Sequence, residues 1–409
     1  MRVPLAYSED APHRPVDTVT LGEVLEIAKR ANPEIMAARE KWRASQARIT
    51  QEGLPEKPRI DIERMYGPQS FKVFSDAEEK NLAITQEFPF PTVFSLRSRV
   101  AESEANMMEA ALDAKELDVL SRVKLSYAML FLSRHTIHIF EENADLMRRF
   151  SKVTESKYAA GKASQGDVLK AQVELSKMLN VLVTLHQEEE THKAMLNTLL
   201  NRSPESVLGT PEDPHPEPLT LSLKELESLA LEKRPDLKEA DYSLKKGEAA
   251  LKLSKAQYLP DIMLQFRQRD MEAERDSQDF IVGFTVPLWF EKQRAGVREA
   301  KANLKMAEAE YHVMKNMTLF DVKNLYVKVQ TAFRLIELYR TSVIPQAEQA
   351  LQVTDSGYQA DKLGFLDLLD AVRSLLNFRM EYYQYIADYE QYIAELERSI
   401  GVSLRGENK

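Results

Sequence analysis

The clearest pattern along the chain is a run of apolar residues spaced three and four positions apart, which occurs twice. The first run comprises Val168, Ala171, Leu175, Met178, Leu182 and Leu185, and the second comprises Leu368, Ala371, Leu375, Phe378, Tyr382 and Tyr385. This spacing is typical of the seam of a coiled coil, where two helices pack along an apolar stripe. The pattern therefore predicts two long helices, each packed against another helix.

A short polar break precedes each run, and the residues around the break also repeat. Tyr, Ala, Lys, Asp, Leu and Ala recur at an offset of 200 between Tyr158–Ala171 and Tyr358–Ala371. A helix, a tight turn and a helix that runs back form an αα-hairpin, so the chain is predicted to contain this unit twice. We expect the hairpin tips at about 158–167 and 358–367.

The segments upstream of the hairpins repeat as well. Thr20 and Glu23 have the spacing of a capping box at the start of a helix, and so do Ser222 and Glu225. The chain therefore divides into an arm (1–18), a first repeat (19–202), a linker (203–219), a second repeat (220–402) and a tail (403–409). The linker contains five prolines, which indicates a connection without long helices.

Two short alternating segments follow the opening helices of each repeat. Strands are predicted at about 58–66, 80–88, 260–268 and 279–287, because apolar and polar residues alternate there. Polar loops at about 67–79 and 269–278 join the members of each pair. Four strands leave open edges that favour pairing with other chains. The predicted fold is mainly α with a small β part, in an oligomer whose strands combine.

The distribution of helix-breaking residues predicts unusually long helices. Between Thr92 and Ser203 there is no proline, and between Pro68 and Ala160 there is no glycine. A helix from about Thr92 to Tyr158 would span roughly 100 Å at about 1.5 Å per residue. Such a helix must pack side by side with others to bury its apolar stripe.

Charge and cysteine content exclude several classes of function. The net charge is −9 without a basic block, so we expect no nucleic-acid partner. The absence of cysteine excludes disulfides, thiolate metal sites and lipid attachment through an N-terminal cysteine. Neither a transmembrane helix nor, at Met1–Val19, a signal peptide is predicted. We expect either that a signal was removed or that the protein is not exported.

No pattern of catalytic or cofactor-binding residues is present. Gly161-Lys162-Ala163 lacks the upstream glycine and the following Ser or Thr of a P-loop. His135 and His138 lie three apart on a predicted helix, but a metal site needs more ligands. We therefore expect no enzymatic activity, no cofactor and no bound structural metal.

The arrangement over about residues 18–402 resembles the TolC family of outer-membrane efflux ducts. The duplicated tip motif carries the resemblance, together with Asn32-Pro33-Glu34, Arg234-Pro235-Asp236, Leu54-Pro55 and Leu259-Pro260. The last hairpin is most similar to the heavy-metal-efflux branch of CzcC and CusC type, through Ile344-Pro345-Gln346-Ala347 and Phe365–Ala371.

The resemblance implies a homotrimer in the outer membrane. Its 12-stranded β-barrel, with four strands from each chain, would continue as a periplasmic barrel of helices. A periplasmic adaptor (membrane fusion protein) and an inner-membrane transporter, of RND type, would be its partners. The chain would act as a passive exit duct, and Cu, Ag, Zn, Co, Cd or organic compounds remain open as cargo.

The strand pattern agrees with a barrel in lipid. The residues expected to face lipid are Ile60, Ile62, Leu82, Ile84, Ile262, Leu264, Phe266, Val282 and Phe284. Those expected to face the lumen are Arg59, Asp61, Glu63, Thr85, Glu87, Gln265 and Arg267. Four aromatic residues form either a girdle at the periplasmic membrane face or a packed corner between strand and helix: Phe88, Phe90, Trp289 and Phe290.

In the resemblance, the tips carry the gate and the adaptor contact. Asp367 and Asp370 would form two acidic rings in the trimer, although favourable charge at a helix N-terminus is the alternative. Tyr358 and Asp167 match positions that link neighbouring hairpins in the closed state. The residues expected to contact the adaptor are Gly161, Lys162, Gly166, Lys362 and Gly364.

The second tip departs from the family pattern at two positions. Leu363 replaces an Arg of the closed-state link, and Asp361 stands where Gly is usual, so Gly364 is expected to take over the turn. Two other classes of protein compete with the duct. One is a soluble coiled-coil scaffold or tether, which has no use for two strand pairs. The other is the adaptor itself, whose lipoyl-like and barrel segments are absent here.

Overall fold

The computed structural model describes residues 18–65, 79–271 and 277–404. The predicted arm, apart from its last residue, lies outside the described residues, as do most of the first strand-connecting loop, the middle of the second and the end of the tail. Within these ranges the fold is mainly helical with a small sheet part, and the predicted fold class is confirmed.

The helices and the four long strands follow the predicted order, and two short strands, at Thr18–Val19 and Thr210–Pro211, occur in addition. The helices are α1 (Leu21–Ala31), α2 (Pro33–Gly53), α3 (Pro91–Ala159), α4 (Gln165–Leu199), α5 (Leu223–Lys233), α6 (Pro235–Ala256), α7 (Phe290–Leu338), α8 (Ile344–Gln359) and α9 (Phe365–Ile400). The strands are β1 (Thr18–Val19), β2 (Arg59–Met65), β3 (Glu79–Phe88), β4 (Thr210–Pro211), β5 (Asp261–Met271) and β6 (Ser277–Thr285).

The chain divides into two compact units, and each unit takes segments from both repeats. Unit 1 comprises Met1–Met36, Ala114–Arg234 and Thr318–Lys409, and unit 2 comprises Ala37–Asp113 and Pro235–Met317. The hairpin tips belong to unit 1 and the four long strands belong to unit 2. The spatial division therefore differs from the sequence repeats, because each helix stacks beside segments that are distant along the chain.

Local sequence explains where the helices of unit 1 begin. Thr20 with Glu23 and Ser222 with Glu225 form the predicted capping boxes. Asn32 separates α1 from α2: it is buried, donates from Nδ2 to the Leu199 carbonyl at 2.8 Å and accepts from the Glu34 N–H at 2.9 Å. An apolar cluster packs around α5, with Leu226, Val322, Tyr389 and Leu396 among its members.

A π-helical segment interrupts the second repeat where the first repeat has one continuous helix. Residues Tyr339–Val343 lie between α7 and α8, and the Ile344 N–H donates to the Tyr339 carbonyl five residues earlier. Pro345 explains the segment, because it has no N–H to donate and its ring crowds the preceding turn. The apolar periodicity of the sequence did not predict this change of helix type.

The Pro-rich linker is fixed to the helices of unit 1. Its strand β4 pairs in parallel with β1, a short sheet that the strand pattern did not predict. The Tyr127 hydroxyl donates to the Val19 carbonyl at 2.9 Å and accepts from the Glu212 N–H at 2.7 Å. Burial of the phenol raises the pKa of Tyr127 to about 12. The linker is therefore an ordered part of the fold.

The long strands of unit 2 form one antiparallel sheet in the order β2-β3-β5-β6. Strands from the two repeats meet at the centre, where Ile84 on β3 is the register partner of Phe266 on β5. Strands β5 and β6 extend further than predicted, since their pairing continues to Arg269 opposite Ser277. Strands β2 and β6 form the two edges of this sheet.

Candidate functional site

The two hairpin tips turn through the same backbone conformation. Gly161 has a φ of 71° in the first tip, and Asp361 has a φ of 59° in the second. The expectation that Gly364 takes over the second turn was wrong, because Gly364 has a φ of −83° and is the N-cap of α9. Aspartate tolerates the left-handed region better than most residues with a Cβ, since its short polar side chain can bond locally.

The Asp361 side chain joins the two tips. Its carboxylate accepts hydrogen bonds from Lys157 and, at 2.7 Å, from the Lys162 ammonium, both of which belong to the first hairpin. These bonds, with Lys157 as the larger contribution, lower the pKa of Asp361 to about 2. Lys157 also donates to the Tyr358 carbonyl and lies over the Tyr358 ring. The second tip is thereby held against the first.

Tyr358 lies in the apolar core beneath the tips. Only 4% of its surface is exposed, and its hydroxyl lies 2.9 Å from the Thr154 hydroxyl. Thr154 donates to the Phe150 carbonyl, so Tyr358 is the donor of the shared bond. Within the chain, Tyr358 and Asp167 do not bond to each other, because Asp167 caps α4 through Ser164. Their link between neighbouring hairpins stays a prediction.

The two predicted gate carboxylates differ in their local roles. Asp367 accepts a hydrogen bond from the Gly364 N–H at 2.9 Å and so caps α9, as the alternative interpretation requires. Asp370 lies one turn later, and both side chains are exposed. Leu363 packs over Gly357, where an added Cβ would lie 2.6 Å from the Leu363 Cδ1. Leu363 therefore contributes an apolar contact where the family pattern has an Arg.

An ion pair that was not predicted from the sequence joins α4 to α9. Arg373 binds Glu174 through two hydrogen bonds, with the Nε–Oε1 distance at 2.9 Å. Glu174 is nearly buried, and its bonds to Arg373 lower its pKa. The available signal was the position of Glu174 directly before Leu175, a residue of the first heptad run. An acidic side chain beside an apolar seam indicates a buried partner.

The histidines noted in the sequence have local partners. The His135 Nε2 lies 2.9 Å from the Asp213 Oδ1, and its ring stacks on that of Tyr383. His138 lies 3.3 Å from Glu142. Within the described ranges, no three metal-ligating side chains converge. His135 therefore serves as a contact between α3 and the linker.

The sheet of unit 2 exposes its apolar face, the opposite of what is found in water-soluble proteins. The strand register places the nine apolar side chains expected to face lipid on one face and the seven polar side chains on the other. On β3, Ala83 is 5% exposed on the polar face, whereas Leu82 and Ile84 are each 43% exposed on the apolar face. Water-soluble sheets bury their apolar face, so this arrangement suits an apolar surrounding.

The four predicted aromatic residues lie where the sheet leads into α3 and α7. Trp289 is 83% exposed, Phe290 is half exposed and stacks on Tyr258, and Phe88 and Phe90 are partly buried.

Among the described helices, none has an apolar stretch long enough to cross a lipid bilayer.

Comparisons with known proteins agree with these features. The model of the family described as "Outer membrane efflux protein" matches residues 24–202 and 226–402, once in each repeat. The chain is 23% identical to the cobalt-zinc-cadmium resistance protein CzcC of Cupriavidus metallidurans over 91% of its own length and 87% of that protein.

One further relative and one solved structure extend the comparison. The probable outer membrane lipoprotein SilC of Salmonella typhimurium is 25% identical over 62% of this chain and 55% of that protein. The crystal structure of CusC, described in terms of transmembrane channel formation, matches with a TM-score of 0.82 and 17% identity. That match covers 98% of this chain and 100% of CusC and shows a shared fold. The chain therefore belongs to the outer membrane efflux protein family, and the resemblance to TolC-like channels is confirmed.

Proposed function

We propose that three copies of this chain form the exit duct of a tripartite efflux pump. The observation that carries the proposal is the sheet of unit 2, with an exposed apolar face, a polar opposite face and two open edges. Three sheets of four strands give a closed barrel of 12, which removes the edges and places the apolar face in outer-membrane lipid. Family members are channels rather than enzymes, so the chain acts as a passive conduit.

Reconstitution tests this proposal directly. Purified protein should require detergent, insert into phosphatidylcholine vesicles and form conducting pores in planar bilayers. Protein that stays soluble without detergent and never conducts would instead support the coiled-coil scaffold.

The aromatic residues support the placement of the sheet in the membrane. We assign Trp289 and Phe290, with Phe88 and Phe90, to the membrane interface on the periplasmic side. They lie where β3 and β6 lead into α3 and α7, and indole and phenyl rings are favoured at the boundary between lipid and water. The helices then extend into the periplasm.

The hairpin tips are the proposed contact with the periplasmic adaptor, through which the inner-membrane RND transporter delivers cargo. All five predicted contact residues are exposed in this chain, and one of them, Gly364, is also the N-cap of α9. The turn at Gly161 has a positive φ, so a substitution there would strain the backbone as well as block the contact. Gly166 is the cleaner position for a test, since an added Cβ would meet the Ser164 Oγ at an ordinary 3.5 Å.

A matched pair of glycine substitutions tests the adaptor contact. Gly166→Glu should abolish efflux in cells while the protein still reaches the membrane. Gly22→Glu is the control, because an added Cβ there meets no atom within 4 Å and Gly22 lies on α1. Normal efflux with Gly166→Glu would place the adaptor contact elsewhere.

The gate is proposed at Asp367 and Asp370, with Tyr358 and Asp167 controlling how the tips move. Both acidic side chains are exposed, and three copies would place six carboxylates around a narrow pore. Such rings attract cations. Asp367→Asn with Asp370→Asn keeps an acceptor for the α9 cap and should lower cation preference and weaken block by multivalent cations in planar bilayers.

The control for the gate removes the same charge from another helix. Glu188→Gln with Glu190→Gln changes two exposed acids of α4 and should leave selectivity unchanged. If the gate variant keeps wild-type selectivity and block, Asp367 serves only as a helix cap.

Divalent metal cations are the proposed cargo. The relative named for cobalt, zinc and cadmium resistance matches nearly the whole chain, and an acidic gate suits cations. Cells that lack their own duct should regain resistance to these metals when they express this chain with its cognate adaptor and pump. Resistance to organic compounds alone would contradict the assignment of metal cargo.

A further inference from the structure

We propose that Arg64 and Lys80 form a binding site for the phosphate group of a lipid on the exposed apolar face of the sheet. The inference rests on the proposed function, because it requires that face to contact the membrane. The two residues lie at the ends of β2 and β3 that do not lead into helices. With the helices in the periplasm, these ends point to the outer leaflet.

The strand register brings the two cations together. Arg64 and Lys80 are direct partners across β2 and β3, and both are exposed. Opposed residues in an antiparallel pair have Cβ atoms about 5 Å apart, close enough for both side chains to bind one phosphate. A guanidinium binds two phosphate oxygens in a fork, and an ammonium adds a compact charge beside it.

A like-charge pair across two strands is unfavourable unless an anion lies between the charges. Two cations on the opposite face have acidic partners: Arg59 pairs with Asp61 at 2.8 Å, and Arg269 pairs with Asp279. Within residues 18–65, 79–271 and 277–404, neither Arg64 nor Lys80 forms an ion pair, although Asp270 is the register partner of Lys80 on β5. The pair is therefore suited to an external anion.

The apolar surface next to the cations identifies the anion as part of a lipid. Ile62 and Leu82 are register partners two residues from the cations, about 6.8 Å along the strands, and both are exposed. Acyl chains can lie on Ile62 and Leu82 and on the next apolar pair, Ile60 and Ile84, while the phosphate reaches the cations. On β5 and β6 the positions in line with Ile62 and Leu82 are Gln268 and Gln278. Apolar side chains therefore lie directly beside the two cations only on β2 and β3.

Native mass spectrometry of the protein in nonionic detergent tests the site, with bisphosphorylated lipid A as the probe. Arg64→Gln with Lys80→Gln should weaken binding roughly 10- to 30-fold, as expected for two cations near a membrane surface. Arg59→Gln with Arg267→Gln removes the same charge from the polar face and should bind like the wild type. Lipid A without its phosphates should bind the wild type as weakly as the probe binds the double variant.

Two results would overturn the site. One is wild-type affinity in the Arg64 and Lys80 variant. The other is displacement of the lipid by inorganic phosphate at equal concentration, which would indicate a site for free phosphate. Insertion into phosphatidylcholine vesicles separates this inference from the proposed function. A wild-type protein that fails to insert contradicts the duct, whereas normal insertion with equal lipid binding by both proteins contradicts only the lipid site.

Discussion

The first tip, residues 158–167, and the second tip, residues 358–367, share a backbone turn but are held by different side chains. A glycine adopts the left-handed conformation in the first, and Asp361 adopts it in the second. The repeated tyrosines differ even more, since Tyr158 is 48% exposed and Tyr358 is 4% exposed. The duplicated sequence therefore encodes one turn twice, while only the second tip buries its tyrosine in the core.

The helices that follow the tips also begin differently. Ser164 and Asp167 form a reciprocal capping box at the start of α4. Gly364 has no side chain to contribute, so Asp367 alone caps α9 through the Gly364 N–H. The second tip thus depends on carboxylates, Asp361 for its contact with the first hairpin and Asp367 for its helix start. This dependence makes the second tip the more sensitive of the two to substitution.

The largest expected difference comes from truncating the repeated tyrosines. Tyr358→Ala should lower the free energy of local opening of the second tip by about 3–5 kcal/mol, because it leaves a cavity in the core. Tyr158→Ala should change the free energy of local opening of the first tip by less than about 0.5 kcal/mol, as for other surface positions. Hydrogen exchange of the helix amides measures both values. Equal effects would show that the two tips are docked alike.

A smaller effect is expected from the turn of the first tip. Gly161→Ala should lower the free energy of local opening of the first tip by about 1–2 kcal/mol, because a Cβ is unfavourable in the left-handed region. Gly166→Ala is the control, since that glycine lies in α4 and has ordinary space for a Cβ. Hydrogen exchange of the amides around the first tip measures the opening free energy of both variants. Full tolerance of alanine at 161 would contradict the assigned turn.

Removal of one hydroxyl tests the bond beneath the second tip. Tyr358→Phe should lower the opening free energy by about 0.5–1.5 kcal/mol per chain, the value of one hydrogen bond. Thr154→Val removes the partner hydroxyl and should have a similar effect. The double variant should lower the opening free energy by less than the sum of the two single variants. Additive effects would indicate that the two hydroxyls act independently. Single-channel recording should show a higher open fraction for each variant.

The smallest effect is expected from acid, because Asp361 is exposed. Its pKa is lowered from 3.8 to about 2, so the ion pairs with Lys157 and Lys162 stabilise the tip contact fully above pH 4. That contribution is lost as the pH falls from about 4 to 2. Spin labels at Ala160→Cys and Ala360→Cys should report a broader distance distribution at pH 2. Asp361→Asn should show the broad distribution at every pH, and a pH response in that variant would contradict the assignment.

Features set by neighbouring residues were predictable from the sequence. The caps at Thr20 and Ser222, the heptad seams and the alternating strands all depend on periods and motifs within a few residues. The alternation of apolar and polar residues also predicted the two faces of the sheet. The resemblance to outer-membrane ducts then indicated that the apolar face contacts lipid.

Features that depend on distant contacts were not predictable. Tyr358 bonds to Thr154 across 204 residues, and Arg373 binds Glu174 across 199. The positive φ of Asp361 is stabilised by lysines of the other hairpin, so a local rule assigned the turn to Gly364 instead. The π segment before Pro345 depends on how the helix accommodates a missing N–H, which no periodic pattern reports.

Crosslinking between the sheet edges tests most directly whether three chains close one barrel. The chain has no cysteine, so Asp61→Cys on β2 and Ile281→Cys on β6 provide the only two thiols. Within one chain these strands are three spacings apart, roughly 14 Å, which is beyond the reach of a short bismaleimide. A closed barrel of three chains should give covalent products in detergent that end at three chains, and none with Ala83→Cys on the central β3 in place of Asp61→Cys. A largest product of one or two chains, or a ladder beyond three, would contradict it.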